Sequence, residues 1–268
     1  EVEEAGTIGS AMMAGLAIHL FENEADAKSK MIQKKATIYP NMLQKRKYEI
    51  KKSSLTGDYI EKDKHKYISY KEYLDDDVYG NANFVINLVD GTTVKQQLII
   101  IDSNKYNYQK FKGYDFIHQD QVEWYERMVN KTKENNGGTV VPSLAFFHIP
   151  TEEFQVAYDL CMENDPIAQK VDLDRWRIGE NVSCSGTPSD LFEKMLELGS
   201  TKACIVGHDH VNSFCVDYKG IYLCYGIHST DRIYSDKELM GGQVITMNSA
   251  NEISIERYFH TYAELEGK

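Results

Sequence analysis

Three histidines stand where chemistry could gather. His148 ends the apolar run of TVVPSLAFFHIP, and His208 and His210 follow the apolar run of KACIVGHDH. Neutral imidazole is a good ligand for zinc, iron and manganese-type ions. Residues two apart on a strand point the same way, so His208 and His210 would face one spot. Gly207, just before them, lets the backbone bend where the strand stops. In layered α/β proteins, sites collect at the C-terminal ends of strands. Three imidazoles at two such ends supply part of a site for one or two cations. Cations of this kind offset charge on phosphate oxygens and generate hydroxide near neutral pH. A lone histidine after a strand is more often a satisfied surface group. The coincidence of two strand ends, with a glycine before the HxH pair, sets these three apart. His19, His65 and His260 lie in helical or polar surroundings, His118 starts a helix, and His228 in YGIHSTD could approach from the next loop.

The elements that would hold these residues are legible in patches. NFVINLVDGTTVKQQLIIID predicts two strands joined at Asp90-Gly91. DQVEWYERMVNKTKENNGG predicts an amphipathic helix stopped by Gly137 and Gly138. EEFQVAYDLCM reads as a short helix, and Asn164 to Gly186 as a polar loop. TPSDLFEKMLELGS predicts a helix with Thr187 as N-cap, Pro188 at its first position and Gly199 past its end. SFCVDYKGIYLCYG predicts a hairpin turning at Lys219-Gly220, and QVITMN and EISIERY are expected to finish the sheet. Residues 1–50 differ in character. EAGTIGSAMMAGLAIHLF and NEADAKSKMIQKK predict two helices, with small residues along one face of the first. The expected organisation is a helical segment at 1–50 and a mixed, layered α/β (α+β) domain at 51–268.

The chain has 41 acidic against 30 basic residues, a formal net charge of -11, which disfavours binding to nucleic-acid backbones. A small anionic substrate remains compatible, because bound cations would dominate a local site. Residues Ala5 to Phe21 carry no charged side chain but are short for a membrane span and lack a basic leader, so a buried helix is expected. The cysteines, Cys161, Cys184, Cys204, Cys215 and Cys224, form no CxxC pair. They read as buried free thiols in a reducing, cytoplasmic compartment.

GHDH after an apolar strand, with FFHIP upstream, resembles the calcineurin-like metallophosphoesterases, the superfamily that includes purple acid phosphatases. The likeness runs from about Leu55 to Tyr258 and is close in GYDFIHQDQVEWYE, VVPSLAFFHIP and LFEKMLELGSTKACIVGHDHVNSF. It implies the C-terminal part of an αββα sandwich. It also implies two divalent cations of the iron, manganese or zinc class, His148 and His208 sharing one and His210 serving the other. The implied substrate is a small phosphate ester, hydrolysed by a metal-activated hydroxide.

The family's earlier motifs, DxH, GDxxD and GNH followed by an acid, are absent. Gly57-Asp58 lies in TGDYIEKD, but Glu61 stands where the second aspartate belongs, so this reads as a loop. Asp102 and Asp209 are carboxylates with no placement from sequence. Residues 1–45 resemble the C-terminal tail of sugar kinases related to glycerol kinase and xylulokinase, with a junction between Lys45 and Leu55. No GxxxxGK phosphate loop is present. The chain, beginning at Glu1, therefore reads as processed or partial. Three functions follow in order: a metal-dependent phosphoesterase, a non-catalytic remnant with partial metal binding, and a sugar-kinase fragment. Loss of the first strands would leave an exposed sheet edge open to self-association.

Overall fold

A computed structural model describes residues 68–70, 78–80, 83–106, 113–229 and 234–260. The helical segment expected at 1–50, the sugar-kinase resemblance, Asp58, His19 and His65 lie outside the described residues. The described chain runs β1 (Ile68–Tyr70), β2 (Phe84–Asp90), β3 (Thr93–Ile100), α1 (Gln119–Asn135), β4 (Ser143–Phe146), α2 (Glu153–Met162), β5 (Ala168–Lys170), α3 (Leu191–Leu198), β6 (Thr201–Val206), β7 (Cys215–Tyr218), β8 (Ile221–Tyr225), β9 (Gly241–Met247) and β10 (Ile253–Phe259).

Eight strands form one mixed sheet in the order β1-β2-β3-β4-β6-β8-β7-β5. β3, β4, β6 and β8 are mutually parallel, while β1, β2, β7 and β5 add antiparallel pairs at the two sides. Parallel strands are covered on both faces, so they need continuous rather than alternating apolar residues. β4 is buried throughout, and β6 and β8 nearly so. The class is mixed α/β, as the alternation of strand and helix patterns predicts.

α1 forms because its apolar residues recur at helical spacing. Val122, Trp124, Tyr125, Met128 and Val129 are buried on one face. His118 is its N-cap, with Gln121 returning the capping-box bond, and Gly137 and Gly138 follow with φ of +68° and +85°. The face packs into a core with Ile99, Ala145, Phe154, Leu191, Leu223 and Tyr225.

Three expectations are corrected. α3 begins at Leu191 with Asp190 rather than Thr187 as N-cap; Ser189, just before it, donates its hydroxyl to the Ile117 carbonyl and accepts the Leu191 N–H at 3.4 Å. Its Gly199 stop holds, with φ of +65°. The loop from Asn164 to Gly186 contains β5, which pairs with β7 at the far side of the sheet. β9 and β10 do not finish the main sheet. They pair in full with each other, and the sides of the main sheet are taken by β1 and β5.

The free-thiol reading is also corrected at two positions. The β7–β8 turn at Lys219-Gly220 puts both residues at positive φ and sets Cys215 directly opposite Cys224, where they form a disulfide. Cys161, Cys184 and Cys204 are free. No described helix is long and apolar enough to cross a membrane.

Candidate metal centre

β4 and β6 are parallel neighbours, with Phe146 opposite Ile205. Their ladder continues past the strand ends, where Gly207 N–H donates to the His148 carbonyl at 3.1 Å. That bond fixes the two histidine-bearing segments side by side. The rings of His148 and His208 meet edge to face, centroids 5.2 Å apart. The Ser103 hydroxyl oxygen accepts the backbone N–H of His148 at 3.1 Å and of Ile149 at 2.8 Å, tying the segment after β3 to the same corner.

Gly207 sits at a close approach to His148 and has no unusual φ. A Cβ there would meet His148 Nδ1 at 3.2 Å. The positive-φ residue is His208 itself, at +74°, at the centre of a γ-turn, a form that is rare and strained when φ is positive. A tight turn closes across it, with Asp209 N–H donating to the Gly207 carbonyl at 3.0 Å.

The chain has left the strand at Val206, so period-two alternation no longer applies to the HxH pair. His208 faces His148 and the edge of Tyr114, whose ring lies 4.4 Å away. His210 instead stacks on Tyr234 at 4.7 Å, and its Nδ1 donates to the Tyr234 carbonyl at 2.8 Å. The structure thus brings His148 and His208 together and turns His210 to the rim. His228 comes to the same rim, 6.1 Å from the His210 ring, with Nε2 donating to the Asp236 carbonyl.

Burial, reinforced by the neighbouring imidazoles, pulls His148 down to about 4. His208 is also lowered, by burial first, against an opposing pull from Asp209. Both rings are held neutral, the form that donates a lone pair to a cation.

The carboxylates behave differently. Asp209 is only 2% exposed and points inward, where Oδ2 accepts from Tyr225 Oη at 2.6 Å and from Ser183 N–H at 3.0 Å. Asp102 caps its own turn, accepting from Asn104 N–H at 2.8 Å. Sequence reasoning missed Tyr114, Tyr234 and Glu180. Glu180 accepts the Tyr234 hydroxyl at 2.7 Å and lies near enough to His208 to act on its charge. Each comes from a loop whose path only the folded chain defines.

Among the described residues, no group of three or more His, Cys, Asp or Glu side chains is arranged to hold a metal ion. A two-cation centre, which needs a bridging anion, therefore does not fit them. The donor chemistry of the His148–His208 pair fits part of the shell of one cation: two neutral imidazoles, side by side.

The chain's curated relatives are purple acid phosphatase-like. It is 31% identical over 161 residues to "Probable inactive purple acid phosphatase 29" of Arabidopsis thaliana, covering 56% of this chain and 39% of that protein. It is 28% identical to number 28 of the same series, covering 56% and 34%, and 30% identical to number 14, covering 56% and 37%. The chain spans little more than a third of the length of these relatives. The crystal structure of a dimetal phosphatase from Danio rerio overlays 67% of this chain and 61% of that one, with 11% identity and a TM-score of 0.32, too loose a likeness to carry an argument. No family model matches. The sugar-kinase resemblance of residues 1–45 finds no support in these comparisons.

Proposed function

We propose that this chain is a purple acid phosphatase-like, metal-binding domain that lacks phosphatase turnover of its own. His148 and His208 are its ligands for one divalent cation of the zinc, iron or manganese class, with His210 at the rim. The observation that carries this reading is the edge-to-face pair of half-buried, neutral imidazoles at the ends of adjacent parallel strands, with Asp209, next to His208, turned into the core. Imidazoles supply lone pairs, but they do not supply the bridging anion of a two-metal clamp. The relatives are named as inactive phosphatases, which supports the absence of turnover in this reading.

Glu180 favours a second reading. Its carboxylate stands beside Tyr234 and acts on His208, so the histidines do have an anionic neighbour. A working phosphoesterase would use a metal-activated hydroxide on a small phosphate ester, with its remaining acidic ligands drawn from outside the described residues.

Elemental analysis after equilibration with Zn²⁺ and gel filtration, paired with turnover of p-nitrophenyl phosphate, separates the two. One zinc per chain, lost in His148→Ala/His208→Ala, with no turnover, is the expected result. Two zincs per chain with turnover would replace the first reading by the second. Less than 0.2 zinc in the parent chain would overturn the metal-binding function.

A further inference from the structure

We propose that Asp209 is a positioning residue that sets the orientation of His208, acting through the buried hydroxyl of Tyr225. Its functional consequence rests on the reading of His148 and His208 as a ligand pair. Its structural content does not.

Asp209 sits between two histidines yet is buried, and a carboxylate taken out of water is costly unless hydrogen-bonded. It has two donors, Tyr225 Oη at 2.6 Å and Ser183 N–H at 3.0 Å, both on Oδ2. Oδ1 has no partner. Hydrogen bonds to a charged acceptor are the strong ones, so the Oδ2 pair is the anchor. Tyr225 is a rigid post. It is fully buried, ends β8, and packs edge-on against Phe154 and Phe214. Burial and the Asp209 charge both push its phenol upward, so it stays a donor.

The backbone makes this anchor act on His208. His208 has a positive φ, and the Asp209 N–H closes the turn across it onto Gly207. For His208 to relax, the backbone at 209 must rotate, which would pull the carboxylate away from Tyr225. The anchor therefore holds the strained residue with its ring against His148. A second grip lies two residues further on from His210. Asn212 Oδ1 accepts N–H from Gly179 at 2.8 Å and Glu180 at 3.1 Å. Gly179 approaches so closely that a Cβ would lie 2.6 Å from the Val211 carbonyl oxygen. Asp209 and Asn212 thus clamp residues 179–183 onto the histidine turn, and with them Glu180.

The test compares the parent chain with Tyr225→Phe, which removes one oxygen, and Asp209→Asn, which keeps an acceptor but removes the charge. The first readout needs no metal: NMR cross-relaxation between the rings of His148 and His208, and of His208 and Tyr114. Both should fall at least threefold in Tyr225→Phe while the Phe147–Phe154 ring contact persists. Unchanged ring contacts at His208, even with a lowered melting temperature, would overturn the proposal, because a merely structural role lowers stability without moving that ring. If Asp209→Asn does not fold, Tyr225→Phe alone decides. The second readout is Zn²⁺ affinity by calorimetry, expected to weaken about tenfold in Tyr225→Phe, as for groups that orient metal-bound histidines. Absence of Zn²⁺ binding in the parent chain would sink the metal-binding function, while the ring contacts would still decide whether Asp209 positions His208.

Discussion

Burial keeps His148 neutral down to about pH 4, whereas an exposed imidazole takes its proton near 6.5. Between those values the unfolded chain binds more protons than the folded one, so stability must fall as pH drops through this window. Full protonation of the unfolded imidazole against a neutral native one is worth up to about 3 kcal/mol. Urea unfolding at pH 7.5 and 4.5 should show this loss in the parent chain. It should be smaller in His148→Asn, where the carboxylates still titrate but this imidazole does not. An equal loss in both proteins would mean His148 is not the buried group responsible. The same residue illustrates how far types and spacing reach. FFHIP and GHDH single out His148 and His208, and the folded chain does set them side by side. They do not reveal that His210 turns to Tyr234, because that depends on a positive φ at His208, which no local pattern signals.

At the scale of elements, strands and helices follow their patterns closely where periodicity is long. α1 begins at its histidine cap and stops before its glycine pair, and the β2–β3 turn falls at Gly91-Thr92, one residue later than expected. Short-range rules miss the start of α3, which falls at Leu191, beside the Ser189 bond to the Ile117 carbonyl. The β7–β8 hairpin carries its register in its turn. A two-residue turn at Lys219-Gly220 fixes the register, and Cys215 and Cys224 lie equally far from it, so the turn alone pairs them. Thiol titration in denaturant should therefore find three reactive cysteines of the five without reductant and five after reduction. Five in both conditions would show that the hairpin carries free thiols.

Among the described residues, α1, α2 and α3 all bury side chains in one core with the parallel strands, and Trp124, 1% exposed, lies in that core. Trp124→Ala should cost about 3–5 kcal/mol, the range for emptying a large aromatic site. Denaturant unfolding would report it as a lower midpoint with an unchanged slope. A loss under 1 kcal/mol would mean α1 is not part of the cooperative unit. The β9–β10 pair shows the limit of reading fold from strands alone. Both were legible as strands, but whether they extend the main sheet depended on which sides were already occupied.

Local chemistry written in the sequence determined where strands end, which histidines stand at those ends, and where the chain turns, because each depends on side-chain periodicity or on a few adjacent residues. Tertiary structure decided that β4 and β6 are neighbours although α2, β5 and α3 intervene, that Asp209 faces Tyr225 instead of the histidines, and that Glu180 returns to their rim. Those outcomes are set by contacts between residues far apart in the chain and by the strained backbone at His208. Both exist only once the sheet has formed.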